Sequence, residues 1–140
     1  MLDPNNKLSV YFNGQYLPPS QVAISPFDRG YLYADGVYEV IPVFKGRPFG
    51  LHEHLQRLDT SLESTNISKP QLSLDEIIMH LIQLNREHQG DDISVYIQVT
   101  RGATNKRDQI IPSKLQPQIL AFTQELDLAA INTMHRGIKA

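Results

Sequence analysis

The segment Phe27-Asp-Arg-Gly-Tyr-Leu-Tyr-Ala-Asp-Gly-Val-Tyr-Glu-Val-Ile41, followed by Leu51-His-Glu-His-Leu-Gln-Arg-Leu58, carries most of the information in this chain. The first segment ends in a run typical of a β-strand, and the second has leucines at helical spacing. Ionisable side chains are unusually dense across the two segments for a purely structural unit. They are Asp28, Arg29, Asp35, Tyr38, Glu39, His54 and Arg57.

The remaining sequence predicts a sheet built from short strands. The turn dipeptides Asn13-Gly14 and Lys45-Gly46 are typical of two-residue hairpins, in which both positions need a positive φ. Pro42 interrupts the longest run, and because proline cannot donate to a ladder we expect an edge or a bulge there. Strands are predicted at residues 8–12, Gln15–Leu17, Val22–Ile24, Gly36–Phe44, Arg47–Phe49, Ile93–Thr100, Gln118–Thr123 and Gly137–Ala140.

Two helices follow from the 3.6-residue period. The first is predicted over Leu51–Asn66, and the second begins after a capping box of Ser73 and Glu76 and continues to about His88. The apolar face of the first helix comprises Leu51, Leu55, Leu58 and Leu62. That of the second comprises Leu74, Ile77, Ile78, Leu81 and Leu84. The pattern predicts an α+β domain, an antiparallel sheet with two helices on one face.

Composition narrows the range of functions. A chain of 140 residues with 41% hydrophobic residues suits one domain, and a net charge of −2 favours neither nucleic acid nor an anionic membrane as a partner. The absence of cysteine excludes disulfides and thiol nucleophiles. His52, Glu53 and His54 are adjacent on a helix and do not converge on one point, so we expect no metal site. No signal peptide or membrane-spanning run is visible, and a cytoplasmic location is expected.

Four residues of the two opening segments are candidates for a site. Tyr38 and Glu39 are neighbours on a strand, so their side chains point to opposite faces of the sheet. His54 and Arg57 are three residues apart and share a helix face. The planar guanidinium of Arg57 suits a phosphate, whereas the commonest fate of such an arginine is a solvated surface position. The residues alone leave both readings open.

These two segments resemble the class IV aminotransferases, the fold-type IV enzymes that use pyridoxal phosphate (PLP), and most of all their D-amino acid aminotransferase branch. The resemblance covers roughly residues 8–140 and implies that residues 1–140 are the N-terminal small domain. The lysine that forms the Schiff base with PLP in the family is then expected beyond Ala140. The full-length protein would move an amino group between an amino acid, in the D form as the best guess, and a 2-oxo acid. The chain alone would be inactive.

The resemblance also implies roles for particular residues. Arg57 matches the arginine that contacts the cofactor phosphate, with His54 close by in a supporting role. Tyr38 and Arg107 match residues that bind the substrate α-carboxylate, and Gln109 is expected to be a weaker, uncharged helper. Family members are dimers, so a homodimer is expected.

Some alternatives stay open. The D-amino acid branch has a histidine at the position of Gln109 and often a lysine at that of Pro42. Branched-chain aminotransferases and aminodeoxychorismate lyases share the scaffold, which cannot by itself separate their activities. A non-catalytic binding or assembly domain that kept the fold is the alternative from a different functional class.

Overall fold

The structure, a computed structural model, describes residues 7–126. This part of the chain forms an antiparallel sheet with helices packed on one of its faces, which confirms the predicted α+β class. Within it, no helix is both long and apolar enough to cross a membrane. The elements are β1 (Val10–Phe12), β2 (Gln15–Leu17), α1 (Arg29–Tyr33), β3 (Gly36–Phe44), β4 (Arg47–Pro48), α2 (Leu51–Ser64), α3 (Leu74–Gln89), β5 (Ile93–Thr100) and β6 (Gln118–Glu125).

The strand order in the sheet is β2-β1-β6-β5-β3-β4, and each pair of neighbours is antiparallel. Two tight hairpins form its ends, as predicted. Asn13 and Gly14 have φ values of 46° and 94°, and Lys45 and Gly46 have values of 51° and 72°. Positive φ at both turn positions gives the turn twist that matches the twist of the paired strands.

The core lies between the sheet and α2 and α3. Along β3 and β5 every second residue faces the helices, and these residues are buried and apolar except for Glu39. The opposite face, called the outer face below, carries Tyr38, Val40, Tyr96 and Leu120. The strand period of two therefore gives β3 one buried face and one available for a site.

Pro42 lies in β3 opposite Ser94 of β5, and the register of this pair continues without a bulge. Its carbonyl accepts a hydrogen bond from the N–H of Phe49, on the side of β4. Because the N and O of one strand residue point the same way, the missing donor of Pro42 also faces that side. β4 pairs only with Val43 and Phe44, so the expectation of an edge at Pro42 is confirmed.

The helices follow the predicted pattern with two corrections. In α2, Leu58 and Leu62 are buried, and Leu51 and Leu55 pack against the core. In α3, Ser73 is the N-cap residue, but its side chain makes no capping hydrogen bond, so the predicted capping box is wrong.

Leu84 was also placed wrongly on the core face of α3. It is 37% exposed, whereas Ile82 and Asn85 are buried. The buried amide of Asn85 forms hydrogen bonds with the backbone of Ser9 and with the hydroxyl of Thr123. Both partners are far from Asn85 in the sequence. A polar residue that is fully hydrogen-bonded can thus occupy the core in place of a leucine.

The structure also bears on two further predicted strands and contains one helix that was not predicted. Val22–Ile24 is not a strand, because Val22 and Ile24 instead line hollows on the outer face beside Leu120. The short helix α1 was not predicted, and it begins after Asp28, whose carboxylate accepts a hydrogen bond from the N–H of Gly30. The strand predicted at Gly137–Ala140 lies outside the described residues.

Candidate active site

β3 places Tyr38 and Glu39 on opposite faces of the sheet, as its alternation requires. Tyr38 is 62% exposed on the outer face, and Glu39 is 4% exposed and faces α2. A carboxylate at an otherwise apolar position needs a charged partner, because burying an unpaired charge is costly. That partner comes from α2.

Arg57 of α2 binds the Glu39 carboxylate with two parallel hydrogen bonds. Its Nε donates to Oε1 at 2.6 Å and its Nη2 to Oε2 at 2.5 Å. Such two-point arginine–carboxylate pairs fix the orientation of the guanidinium as well as its charge. Glu39 therefore sets the direction in which Arg57 points.

His54 lies one turn before Arg57 and binds the same carboxylate. Its Nδ1 is 2.8 Å from Oε2 of Glu39 and 3.2 Å from Nη2 of Arg57. A carboxylate can only accept, so Nδ1 carries the hydrogen and donates to Glu39. The same nitrogen then has no lone pair for Arg57, and the 3.2 Å approach is a close contact between two donors.

Ionisation follows from this geometry. The hydrogen bonds from Arg57 lower the pKa of Glu39, an effect opposed by burial and reinforced by the hydrogen bond from His54. The hydrogen bond and the charge of Glu39 in turn raise the pKa of Arg57. The pair is therefore ionised at neutral pH.

Part of Arg57 remains available to a ligand. Its side chain is 64% exposed, and within residues 7–126 its Nη1 makes no hydrogen bond. With Phe49, Gly50, Glu53 and His54 it lines an open hollow of about 490 Å³ at the start of α2. A fixed guanidinium with a free N–H edge is suited to an anion such as phosphate.

On the outer face, Tyr38 begins a row of stacked rings. Its centroid is 5.6 Å from that of Tyr96, which lies 4.9 Å from Phe122 across the next pair of strands. The hydroxyl of Tyr96 donates to Gln98, and burial followed by the proximity of Tyr38 raises the pKa of Tyr96. Tyr38 thus has one ring face stacked on Tyr96, while most of the residue stays exposed on the outer face.

Arg107 and Gln109 lie in the loop between β5 and β6, and both are exposed. Within residues 7–126, no hydrogen bond or ion pair joins either of them to Tyr38. The guanidinium of Arg107 instead lies over the ring of Tyr33, 5.5 Å from its centroid. The structure thus brings His54 and Arg57 together on Glu39. Among residues 7–126 it shows no hydrogen bond or ion pair from Arg107 or Gln109 to either of them, and the roles of all five predicted site residues stay predictions.

A second ion cluster holds this loop against the start of β3. Asp35 accepts hydrogen bonds from Nε of Arg29 at 2.7 Å and Nε of Arg101 at 2.8 Å. Burial raises the pKa of Asp35, but the hydrogen bonds from Arg101 and Arg29 outweigh it, and the net pKa is lowered. Asp28 accepts from Thr100 in the same region.

Sequence reasoning missed the role of Glu39 as the partner of Arg57. One signal was present, since Glu39 replaces an apolar residue in the inward series Val37, Ile41 and Val43. A charged residue in an apolar series predicts a buried counter-charge.

Comparison with known proteins agrees with this architecture. The family described as amino-transferase class IV matches residues 36–139. The chain belongs to the class IV aminotransferase family. It is 34% identical over 122 residues to a D-alanine aminotransferase of Staphylococcus aureus, and 36% identical over 118 residues to one of Bacillus licheniformis. The alignments cover 84% and 83% of this chain but 42% and 40% of the relatives, so the chain spans about two fifths of their length.

Solved structures of the same fold class also superpose. A hypothetical aminotransferase from Mycobacterium tuberculosis in its PLP-bound form gives a TM-score of 0.75 at 20% identity, covering 91% of this chain and 43% of that one. The 4-amino-4-deoxychorismate lyase from Pseudomonas aeruginosa gives 0.62 at 25% identity, covering 83% and 39%. The Escherichia coli branched-chain amino acid aminotransferase gives 0.72 at 16% identity, covering 86% and 40%. The fold is that of the fold-type IV aminotransferases.

Proposed function

We propose that the full-length protein is a PLP-dependent aminotransferase that moves an amino group between an amino acid and a 2-oxo acid. In this proposal residues 1–140 are its N-terminal small domain. The similarity to D-alanine aminotransferases, at 34% and 36% identity, favours D-amino acids as donors. A homodimer stays a prediction from the resemblance, and a cytoplasmic location stays a prediction from the sequence pattern.

The observation that carries the proposal is the state of Arg57. Its guanidinium is fixed by Glu39, its side chain is 64% exposed and lines a hollow, and Nη1 makes no hydrogen bond within residues 7–126. An arginine held in this way fits the dianionic phosphate of PLP, because the N–H groups are already oriented before the ligand arrives. Within the proposal, His54 supports this orientation by donating to Oε2, the same Glu39 oxygen that Nη2 of Arg57 binds.

The remaining residues are proposed to bind the substrate. Tyr38 offers a hydroxyl on the outer face, and Arg107 and Gln109 offer donors suited to an α-carboxylate. When bound, PLP supplies the electron sink on which amino transfer depends. The lysine that would hold it and move the proton at Cα is expected beyond Ala140, so this chain contributes binding and orientation.

An amino-donor screen on the full-length protein tests the proposal. D-alanine is incubated with 2-oxoglutarate, D-glutamate with pyruvate, and L-valine and L-leucine each with 2-oxoglutarate, so that every transfer forms a new amino acid and a new 2-oxo acid, which are quantified. We expect transfer from the D-amino acids. Matched reactions with heat-denatured protein control for non-enzymatic exchange with free PLP.

The other outcomes assign the alternatives. Transfer from the L-branched-chain donors alone would indicate a branched-chain aminotransferase. Pyruvate release from aminodeoxychorismate without an acceptor would indicate the lyase, the activity of the Pseudomonas aeruginosa structure. If the PLP-loaded protein shows no amino transfer from any donor and no lyase activity, the enzymatic proposal is wrong and a non-catalytic domain is favoured.

A further inference from the structure

We propose that Tyr33 is a positioning residue for Arg107: its aromatic ring holds the guanidinium in place before the ligand carboxylate binds. The identity of that ligand rests on the proposed function. The contact between the two side chains rests on the geometry of the described residues alone.

The ring of Tyr33 is the contact that the structure gives to the Arg107 side chain. Cζ of Arg107 lies 5.5 Å from the ring centroid, within the distance at which a cation is attracted to an aromatic face. Among residues 7–126, the Arg107 guanidinium has no hydrogen bond or ion pair to another side chain. Its donors therefore remain available to a ligand while the ring restricts its position.

The backbone beside Arg107 is fixed to the same short helix. Nη1 of Arg29 donates to the carbonyl of Asp108 at 2.9 Å, and Nε of Arg29 binds Asp35. Arg29 itself is 5% exposed, so this contact is shielded from solvent. Helix α1 thus holds the loop at two adjacent points, through the backbone at Asp108 and through the side chain at Arg107.

Charge distinguishes the two arginines on this ring. Cζ of Arg29 also lies over Tyr33, 4.7 Å from the centroid. The charge of Arg29 is balanced by Asp35, whereas Arg107 has no counter-ion among the described residues. A carboxylate that binds Arg107 would supply a negative charge that none of the described residues provides at this position.

The ring, rather than the hydroxyl, carries the proposed role. The hydroxyl oxygen of Tyr33 is buried and makes no hydrogen bond within residues 7–126. Replacing Tyr33 by phenylalanine keeps the ring and removes a buried polar group without a described partner, so it should be tolerated. Replacing it by leucine removes the aromatic face.

The contact is tested first in the 140-residue chain, without cofactor. The guanidinium Hε resonance of Arg107, assigned by its loss in Arg107→Lys, should be displaced by the ring current of Tyr33. Tyr33→Leu should move it to the position of a solvated arginine, and Tyr33→Phe should leave it displaced. Tyr31→Leu is the matched control, because Tyr31 lies on the same helix and is 79% exposed.

The consequence is tested in the full-length protein. Tyr33→Leu should raise the KM for the amino donor about two- to fivefold, the range expected for one exposed cation–π contact, with kcat little changed. Tyr33→Phe should restore the KM. In an Arg107→Ala background, Tyr33→Leu should add no further rise, because the side chain that Tyr33 positions is gone.

Two results would overturn the inference. An Arg107 resonance that is the same in Tyr33→Leu and in the wild type would show that the ring does not hold the guanidinium. Equal rises in KM with and without Arg107 would show that Tyr33 acts through general stability, and Tyr33→Met repeats both measurements if Tyr33→Leu does not fold. A protein that transfers no amino group fails the proposed function, but the resonance experiment still decides whether Tyr33 positions Arg107.

Discussion

Asp35 and Glu39 lie close together in sequence, at the start and in the middle of β3, and each carboxylate binds two basic side chains. Asp35 binds Arg29 and Arg101, whose side chains are 6% and 13% exposed. Glu39 binds His54 and Arg57, and the side chain of Arg57 is 64% exposed. Both clusters pair one carboxylate with arginine, but the second basic partner is an arginine for Asp35 and a histidine for Glu39, and the arginine of the Glu39 cluster is far more exposed.

The two clusters also differ in what the remaining donors of their arginines bind. Arg29 donates to the carbonyl of Asp108, and Arg101 donates to the carbonyls of Asn66 and Thr65 at the end of α2. Arg101 therefore joins the loop to α2 through carbonyls that a helix end leaves free. The Asp35 cluster serves the fold, whereas the Glu39 cluster leaves donors for a ligand.

The largest expected effect comes from Asp35→Ala. This variant leaves the buried Arg29 and the partly buried Arg101 without their carboxylate, and it should lower the free energy of unfolding by about 3 kcal/mol, the lower end of the cost of breaking a buried pair. Denaturant unfolding of the 140-residue chain measures the loss. The same variant in an Arg29→Met background should cost less, because one of the two stranded charges is gone. A loss below about 1 kcal/mol would mean that solvent reaches both arginines.

The local parts of this fold could be predicted from sequence. The hairpins at Asn13-Gly14 and Lys45-Gly46, the alternation of β5 and the apolar face of α2 each depend on neighbours within a few residues. Val22–Ile24 was mispredicted because its apolar residues cover a sheet face instead of joining a strand ladder. Helix α1 is too short to show a period.

The candidate site likewise has a part that the sequence predicted and a part that it did not. The spacing of His54 and Arg57 predicted a shared helix face, and the structure places them on one carboxylate. Their link to Glu39 and the contact of Arg107 with Tyr33 join distant segments. Contacts of this kind have no local period, so the sequence pattern could not predict them.

The next effect concerns binding rather than folding. Arg57→Ala in the full-length protein should weaken PLP binding about ten- to a hundredfold, the loss expected for one charge-assisted contact. Equilibrium dialysis against PLP measures it. Arg86→Ala is the matched control, since Arg86 is also half-exposed on a helix but binds Asp91 and lies outside the hollow. If Arg57→Ala binds PLP with wild-type affinity, Arg57 is a solvated surface residue and does not bind the cofactor.

A smaller effect concerns pH. The pKa of Glu39 and that of Asp35 are both lowered in the folded chain. At a pH between the folded and unfolded values, the unfolded state binds more protons, so stability rises with pH there. This contribution is complete above the unfolded pKa values, about 4.3 for Glu and 3.9 for Asp, and is lost as pH falls through the folded values.

The substitution Glu39→Gln removes the contribution of Glu39 to the pH dependence of stability and leaves that of Asp35. Chemical unfolding of this variant between pH 2 and pH 6 should show a shallower fall in stability below about pH 4.3, because a carboxyl group whose pKa is lowered in the folded chain no longer titrates. The loss of stability in acid that comes from Asp35 should remain. If the free energy of unfolding of the variant falls as steeply in acid as that of the wild type, Glu39 has the same pKa in the folded and unfolded states.

The smallest expected effect separates burial from geometry. Arg86 donates from Nε and Nη2 to Oδ1 of Asp91, at 3.0 Å and 2.6 Å, and the second distance is as short as the contacts of Asp35, at 2.7 Å and 2.8 Å. Both side chains are about half-exposed, at 48% and 52%. Water can replace each partner, so Asp91→Asn should lower the free energy of unfolding by about 0.5 kcal/mol or less. Added salt should shrink even this difference, because it screens exposed charges. If Asp91→Asn instead matched Asp35→Ala, hydrogen-bond geometry rather than burial would govern these pairs, and the contrast between the Asp35 and Glu39 clusters would lose its physical basis.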